Sequence, residues 1–350
     1  MSEVSVVVLN WNGGDKLIAC LESLFLQKIS KPEGAEGAEG HGGFEVILVD
    51  NASDDGSLER VRKRYGDRVR IIENKSNLGF AVGCNQGISA SQSPWIALIN
   101  NDAVADPRWL LELLRKGKGR PDVGMVATRI LRHDNRDLLD SIGVGLYPDG
   151  MSRALHRGEK DSARFRDGYP VLIPSGAACL LRREMLNAQG CFPEDFFIYS
   201  DDTDLAIRGQ LAGWKCVFAP KAVVYHHYSA AVGPASRMKI FYVERNRIWV
   251  LLKFYPLSMI LISGVYTLIR YLAVIYYLFR TPRDHAGRPG PGILDASFAL
   301  ISAYLSAIRG ISRQWMNRKK FGPGATNSYE LWRKWLKDFR LDLKTISGLD

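Results

Sequence analysis

No two of the five cysteines stand in a CxxC spacing: Cys20, Cys84, Cys179, Cys191 and Cys216 are scattered singly through 350 residues. An odd, dispersed set gives no disulfide framework or zinc-binding pair and fits reduced thiols in a cytoplasmic setting. No secretory signal is visible, since the first apolar run, VSVVVL, is six residues long and follows Glu3. No GxGxxG follows that run, where NWNGGDK stands instead, which argues against a dinucleotide cofactor. Nor do the first two thirds carry a charge excess: residues 1–236 hold 28 Lys and Arg against 30 Asp and Glu. The chain's net +10 belongs to residues 237–350, with 19 basic side chains against 7 acidic. That charge accompanies apolar helical runs rather than exposed aromatics between basic residues, so no nucleic-acid partner is expected.

What is present is a regular alternation. VSVVVL (4–9) leads to a helical pattern at 14–27, EVILV (45–49) to 57–65, VRIIE (69–73) to 79–91, and WIALI (95–99) to 108–116. Continuous apolar strands separated by helices predict a mostly parallel sheet covered on both faces, a doubly wound α/β fold. The connector SKPEGAEGAEGHGG (30–43) reads as a surface loop without chemistry.

Polar residues gather at one end of this layer. Asn10 follows the first strand, Asp50 and Asn51 the second, Asn74 and Asn77 the third, and Asn100, Asn101 and Asp102 the fourth. One such residue alone reads as a helix cap. Four strand ends so marked predict a ligand at the carboxyl edge of the sheet. Gly79, Gly83 and Gly87 recur four apart, a spacing that suits close helix–sheet packing and is compatible with a ligand at the helix start. In FFIYSDDTDLAIRGQLAGW (196–214), Asp201, Asp202 and Asp204 crowd a helix start. Acids favour a first turn, but like charges this close also suit a site that uses them.

The last third changes character. Residues 257–279 form an apolar run broken by one charge, Arg270, and about 34 Å of helix is long enough to cross a bilayer. A central Arg costs about 2.5–3.5 kcal/mol on insertion scales. In 293–308, Leu294, Phe298, Ile301, Leu305 and Ile308 fall at helical spacing, predicting an amphipathic helix on a membrane surface or a partner. Lys239, Arg245, Arg247 and Lys253 precede these runs, and Arg309, Arg313, Arg318, Lys319 and Lys320 follow, as sequence facing anionic lipid does.

Taken together, VVVLNWNG, ILVDNASDDGS, NLGFAVGCNQGI, ALINNDAVADPRWL, PSGAACLLRRE, FFIYSDDTDLAIRGQLAGW and AVVYHH occur in the order that resembles family 2 glycosyltransferases, over roughly residues 4–250. The likeness is to the bacterial rhamnosyltransferase and galactofuranosyltransferase branch. It implies a GT-A fold over 1–236, a helical membrane-associated region over 237–350, and an inverting, metal-dependent transferase of surface polysaccharide synthesis. The implied donor is an NDP-sugar, dTDP-rhamnose or a UDP-sugar. The implied acceptor is a glycan or a polyprenyl-diphosphate-linked glycan, and the implied place is the cytoplasmic face of the inner membrane, in contact with lipid.

By the same resemblance Asn10, Asp50, Asn51, Asn77, Gly79, Asn85, Asn100 and Asn101 frame the nucleotide-sugar. Asp102 and His226 hold Mn²⁺ or Mg²⁺, with Asn at 100 where the family has an acid and His227 the competing imidazole. Asp202 is the general base, Asp201 raises its proton affinity, and Asp204 with Arg208 orients it. A nucleotidyltransferase and a non-catalytic membrane scaffold remain the alternatives.

Overall fold

The structure is a computed structural model and describes residues 2–29, 43–166, 169–227, 236–280, 292–321 and 328–347. The connector 30–43 therefore falls almost wholly outside the described residues. The chain divides into two compact units, Met1–Gly143 with Gly158–Ala231, and Val144–Arg157 with Val232–Asp350.

The strands are β1 (Val4–Asn10), β2 (Phe44–Asp50), β3 (Arg70–Glu73), β4 (Trp95–Asn100), β5 (Ala103–Ala105), β6 (Val123–Arg132), β7 (Leu139–Ser141), β8 (Val144–Leu146), β9 (Ser152–Ala154), β10 (Ala178–Arg182) and β11 (Lys215–His226). In the first unit nine of them form one sheet in the order β3-β2-β1-β4-β10-β6-β11-β5, with β7 on β6. β1, β2, β3, β4, β6 and β11 run one way, while β5, β7 and β10 run the other. The sheet is thus mostly parallel, as the unbroken apolar strands predict: β1, β2 and β4 are buried along nearly their whole length.

Helices α1 (Gly14–Phe25), α2 (Ser57–Tyr65), α3 (Gly79–Ala90), α4 (Trp109–Lys118), α5 (Arg183–Gln189) and α6 (Asp201–Leu211) belong to this unit. The chain winds outward from β1 to β3, then returns to lay β4 on the other side of β1. The carboxyl ends of β1 and β4 therefore flank the point where winding reverses, the place where open α/β sheets make a crevice. On α3, Cβ atoms at Gly83 and Gly87 would lie 2.3 Å from Leu9 Cδ1 and 2.4 Å from Val7 Cγ1, so these glycines let the helix sit on β1.

The second unit joins the β8–β9 hairpin to helices α7 (Arg237–Phe254), α8 (Leu257–Arg280), α9 (Ile293–Arg309), α10 (Ile311–Phe321), α11 (Ser328–Asp338) and α12 (Leu343–Ser347). The hairpin turns through Tyr147-Pro148-Asp149-Gly150, closed by Gly150 N–H donating to Tyr147 O at 3.0 Å. Arg245, Arg247 and Lys253, expected to face lipid, are instead buried at 8%, 2% and 3% exposure. The reason for Arg247 is a buried partner, Glu244, 2.6 Å from its Nε. Arg270 is likewise buried, its Nε donating to Asp149 Oδ2 at 2.7 Å and its two Nη groups to Glu244 at 2.8 and 3.1 Å.

Candidate active site

At the end of β1, Asn10 is fully buried and its Nδ2 donates to Asp50 Oδ1 at 2.7 Å, Ser53 Oγ at 3.0 Å and Ser57 Oγ at 3.1 Å. Ser53 returns two hydrogen bonds to Asp50, from N–H at 2.9 Å and Oγ at 2.7 Å. One strand further, Asn101 Nδ2 donates to Asn10 Oδ1 at 2.7 Å. A single knot of hydrogen bonds thus ties the ends of β1, β2 and β4.

Asn51 donates to Gly79 O at 3.1 Å and receives Asn74 Nδ2 at 2.8 Å. Asn74 and Gln86 exchange two amide hydrogen bonds, both at 2.8 Å. Asn77 Oδ1 accepts Gly79 N–H at 2.9 Å and so shapes the entry to α3. Asn85 is turned elsewhere: its amide grips the Phe192 backbone in both directions, at 3.0 and 2.9 Å.

The cation candidates come together through strand register. β11 lies antiparallel to β5 with His226 opposite Ala103, and parallel to β6, which also pairs with β7. His226 Nε2 accordingly lies 3.1 Å from Asp102 Oδ1, and its Nδ1 is 2.8 Å from Asp140 Oδ2. Asp140, on β7, was not anticipated; an acid inside a three-residue strand gives no periodic signal. Burial works against charging His226, but the two carboxylates prevail and push its pKa up to about 10.

Asp102 Oδ1 is buried and has no hydrogen-bond partner, with His226 Nε2 3.1 Å away. An oxygen without a donor beside an imidazole nitrogen, with the other ring nitrogen tied to a carboxylate, suits a divalent cation. Among the described residues no group of three or more His, Cys, Asp and Glu side chains is arranged to hold a metal ion by itself. A cation held by these two groups alone would keep further positions for other oxygens and water, as hard cations do. His227 is placed differently, stacked on His133 at 3.6 Å, with burial and that neighbour lowering its pKa.

The aspartates reach the same edge through α6. Phe197, Tyr199 and Ser200 have φ of 65°, 70° and 59°, left-handed values that cost about 1–3 kcal/mol each and cluster at functional sites. The strained turn caps α3, since Phe197 O accepts from Phe80 N–H at 2.6 Å and Ala81 N–H at 3.3 Å. It then delivers Asp201 and Asp202 to the first turn of α6. Asp202 Oδ2 accepts Gly176 N–H at 3.0 Å, and Oδ1 accepts Thr203 N–H at 2.7 Å and Thr203 Oγ at 3.2 Å. The next residue, Ala177, takes Asn100 N–H at 2.9 Å. Asp202 and the Asn100-Asn101-Asp102 turn therefore share one two-residue bridge.

Burial separates the paired acids. Asp202 is half-buried, whereas Asp201 is 5% exposed with Oδ2 unpartnered. Burial first, then the neighbouring charge of Asp202, raises the Asp201 pKa well above the carboxylate range. Burial also raises Asp202, against the hydrogen bonds from Gly176 and Thr203. Asp204 and Arg208 form a buried pair, Nε to Oδ1 at 2.7 Å, and Arg208 also reaches the carbonyls of Gln189, Gly190 and Cys191. They fix the turn before Phe192 to the helix that carries the acids.

Residues 5–190 match the family model described as Glycosyl transferase family 2. The chain is 31% identical over 204 residues, 55% of its length, to uncharacterized protein y4gI of Sinorhizobium fredii. It is 28% identical over 237 residues, 58% of its length, to N-acetylglucosaminyl-diphospho-decaprenol L-rhamnosyltransferase of Mycobacterium tuberculosis. The match spans 22% of the first relative and 76% of the second. Succinoglycan biosynthesis protein ExoO of Rhizobium meliloti is 29% identical over 67% of this chain and 64% of its own. Among solved structures, a mannosyltransferase from Pyrobaculum calidifontis in complex with GDP-Man and Mn²⁺ superposes with a TM-score of 0.52 and 16% identity. That superposition covers 96% of this chain and 88% of the other, and it establishes likeness of fold.

Proposed function

The chain belongs to glycosyl transferase family 2, and from that premise we propose that it moves a sugar from a nucleoside-diphosphate donor to a hydroxyl of a glycan or lipid-linked acceptor, with inversion. The observation carrying this reading is the continuous hydrogen-bonded edge from Asp50 through Asn10, Asn101 and Asn100 to Asp202, with Asp102 and His226 beside it. The likeness to the rhamnosyltransferase and succinoglycan biosynthesis relatives supports a role in surface polysaccharide assembly, and we take dTDP-rhamnose or a UDP-sugar as the donor.

In this mechanism the nucleoside lies against the Asn10–Asp50 knot and the Asn77–Gly79 turn, framed by Asn51, Asn100 and Asn101. Asn85 acts at one remove by holding Phe192. Asp102 and His226 would hold Mn²⁺ or Mg²⁺, which when bound neutralises charge gathering on the departing diphosphate. Asp140, 2.8 Å from His226 Nδ1, would fix the ring and leave Nε2 for the cation.

Asp201 is the deeper acid, whose proton burial favours, which leaves Asp202 as the proton acceptor. As the acceptor oxygen bonds to the anomeric carbon and the carbon–diphosphate bond breaks, the hydroxyl proton passes to Asp202. One displacement inverts the carbon. Asp204 and Arg208 position the helix start without touching substrate.

We assign transfer to residues 1–236 and contact with lipid, at the cytoplasmic face of a membrane, to residues 237–350; α8 is apolar enough to cross one by length and composition. The test is release of nucleoside diphosphate from a panel of nucleotide sugars with Mn²⁺ or Mg²⁺. Release that stops with chelator and resumes with cation supports the reading. Binding of every donor class without release would overturn it.

A further inference from the structure

The second unit wears its apolar side chains outward. On α8, Leu261, Leu268 and Leu272 are 84%, 59% and 56% exposed; on α9, Phe298, Ile301 and Ile308 are 59%, 58% and 60% exposed. The inward faces are small or polar. α9 turns Ala299, Ala303 and Ala307 inward at four-residue steps, with Trp249 of α7 donating to Ala307 O at 3.2 Å, and α8 turns in Ser263 and Arg270. A soluble helix has the opposite arrangement, and an apolar patch of this extent marks an interaction surface.

The middle of α8 settles which kind. Arg270 is bonded to Asp149 at the tip of the β8–β9 hairpin and to Glu244 on α7. Thr267 Oγ donates to Asp149 Oδ2 at 3.3 Å, and the Tyr266 ring meets the Tyr147 ring edge-on at 5.8 Å. One flank of α8 is therefore covered, at its midpoint, by a two-stranded hairpin and a cluster of paired ions. Hydrocarbon cannot surround that flank, because hairpin backbone groups would lose their partners there. The basic residues Arg309, Arg313, Lys319 and Lys320 follow the outward apolar face on α9 and α10, and all but Arg309 belong to α10.

We infer that α8 and α9 lie in the plane of one leaflet of an anionic membrane, outer faces among the acyl chains, and that α8 does not cross it. The occupant of the face is a phospholipid leaflet, chosen because the adjoining exposed side chains Arg309, Arg313, Lys319 and Lys320 are cationic. This deepens the lipid-contact part of the reading above and rests on it, but not on the donor or the chemistry.

The test places a nitroxide, through single cysteine substitutions in the full chain, at Leu257, Leu261, Leu268, Leu272 and Phe298. Depth is read by oxygen and nickel-chelate relaxation in vesicles of phosphatidylcholine with phosphatidylglycerol, the labelled parent chain giving the background. One shallow depth at every site supports the inference. A profile that deepens to the bilayer centre and emerges beyond it overturns it in favour of a span. Failure to float with vesicles, with labels shielded by a second copy of the chain, also overturns it. Leu268→Asp and Ile301→Asp, at exposed positions, are expected to lose flotation while keeping the parent melting transition. Nucleoside diphosphate release from the same preparations reports separately on transfer, so the two readings fail independently.

Discussion

An Asp202→Asn substitution keeps the side chain's size and one oxygen for Gly176 or Thr203, but removes the proton acceptor. Transfer is expected to fall by about 10²–10⁴-fold while donor-induced thermal stabilisation stays at the parent value. Near-parent turnover would take the base role away from Asp202. Its neighbour makes a prediction about stability. Because the Asp201 pKa is raised in the folded chain, the unfolded chain releases that proton first as pH rises. Stability from this group is complete below the unfolded pKa and is lost as pH climbs through the folded one. Asn does not titrate, so the melting temperature of Asp201→Asn relative to the parent should rise as pH climbs above the ordinary carboxylate range. A pH-independent difference would mean that Asp201 is ionised throughout. Asp140→Ala leaves the His226 ring without its Nδ1 partner, and Mn²⁺ affinity by titration calorimetry is expected to weaken about 10–100-fold. Unchanged affinity would confine Asp140 to packing.

At the scale of the element, α3 and α6 depend on one strained turn. Gly79 has φ +85°, and a Cβ there would lie 2.5 Å from Phe197 Cδ2 and 2.6 Å from Phe197 O, the carbonyl that caps α3. Gly56 has φ +73° with nothing within 4 Å of the same atom. Gly56→Ala pays the conformational term alone, about 1 kcal/mol. Gly79→Ala adds the collision, so it should lose several times the melting temperature of Gly56→Ala and weaken donor binding too. Equal losses would mean that Phe197 yields to the added methyl without cost.

The same elements show what could be read beforehand. The strands ending at Asn10, Asp50 and Asn100 and helices α1 to α4 were visible because apolar runs and helical periods are local signals. So was the alignment of Asp102, Asp202 and His226 with a known order of motifs. β7, β8 and β9 have three residues each, too few for a period, so Asp140 and Asp149 were invisible in their roles. The partners of Arg270 were invisible for a related reason: its acids come from positions 149 and 244, and nothing in the local sequence couples them. Arg245, Arg247 and Lys253 looked like a lipid-facing flank because composition reports charge and not partners.

For the molecule as a whole, order along the chain differs from order in packing. A division at residue 236 matches the change in composition, yet Val144–Arg157 packs with the residues that follow 232. Within the second unit Tyr147 O accepts Tyr255 Oη at 2.9 Å, Leu146 exchanges backbone hydrogen bonds with Phe339 and Leu341, and Asp149 neutralises Arg270. A chain ended at 236 would expose Val144, Leu146, Tyr147 and Met151, all buried in the intact protein. At about 1.5–3 kcal/mol for each large side chain, that loss is comparable with the whole stability of a domain. Such a truncation is expected to aggregate or melt without a cooperative transition. Leu139 hydrogen-bonds the backbone on the far side of the excursion, to Gly158 at 2.9 Å and Glu159 at 2.8 Å. A short Gly-Ser link from Gly143 to Gly158 can therefore replace the hairpin. The 1–236 chain carrying that link should be soluble, melt cooperatively and bind a nucleotide sugar. If the simple truncation is as stable as the linked one, the hairpin belongs with the transferase unit, and the boundary read from composition is the structural one.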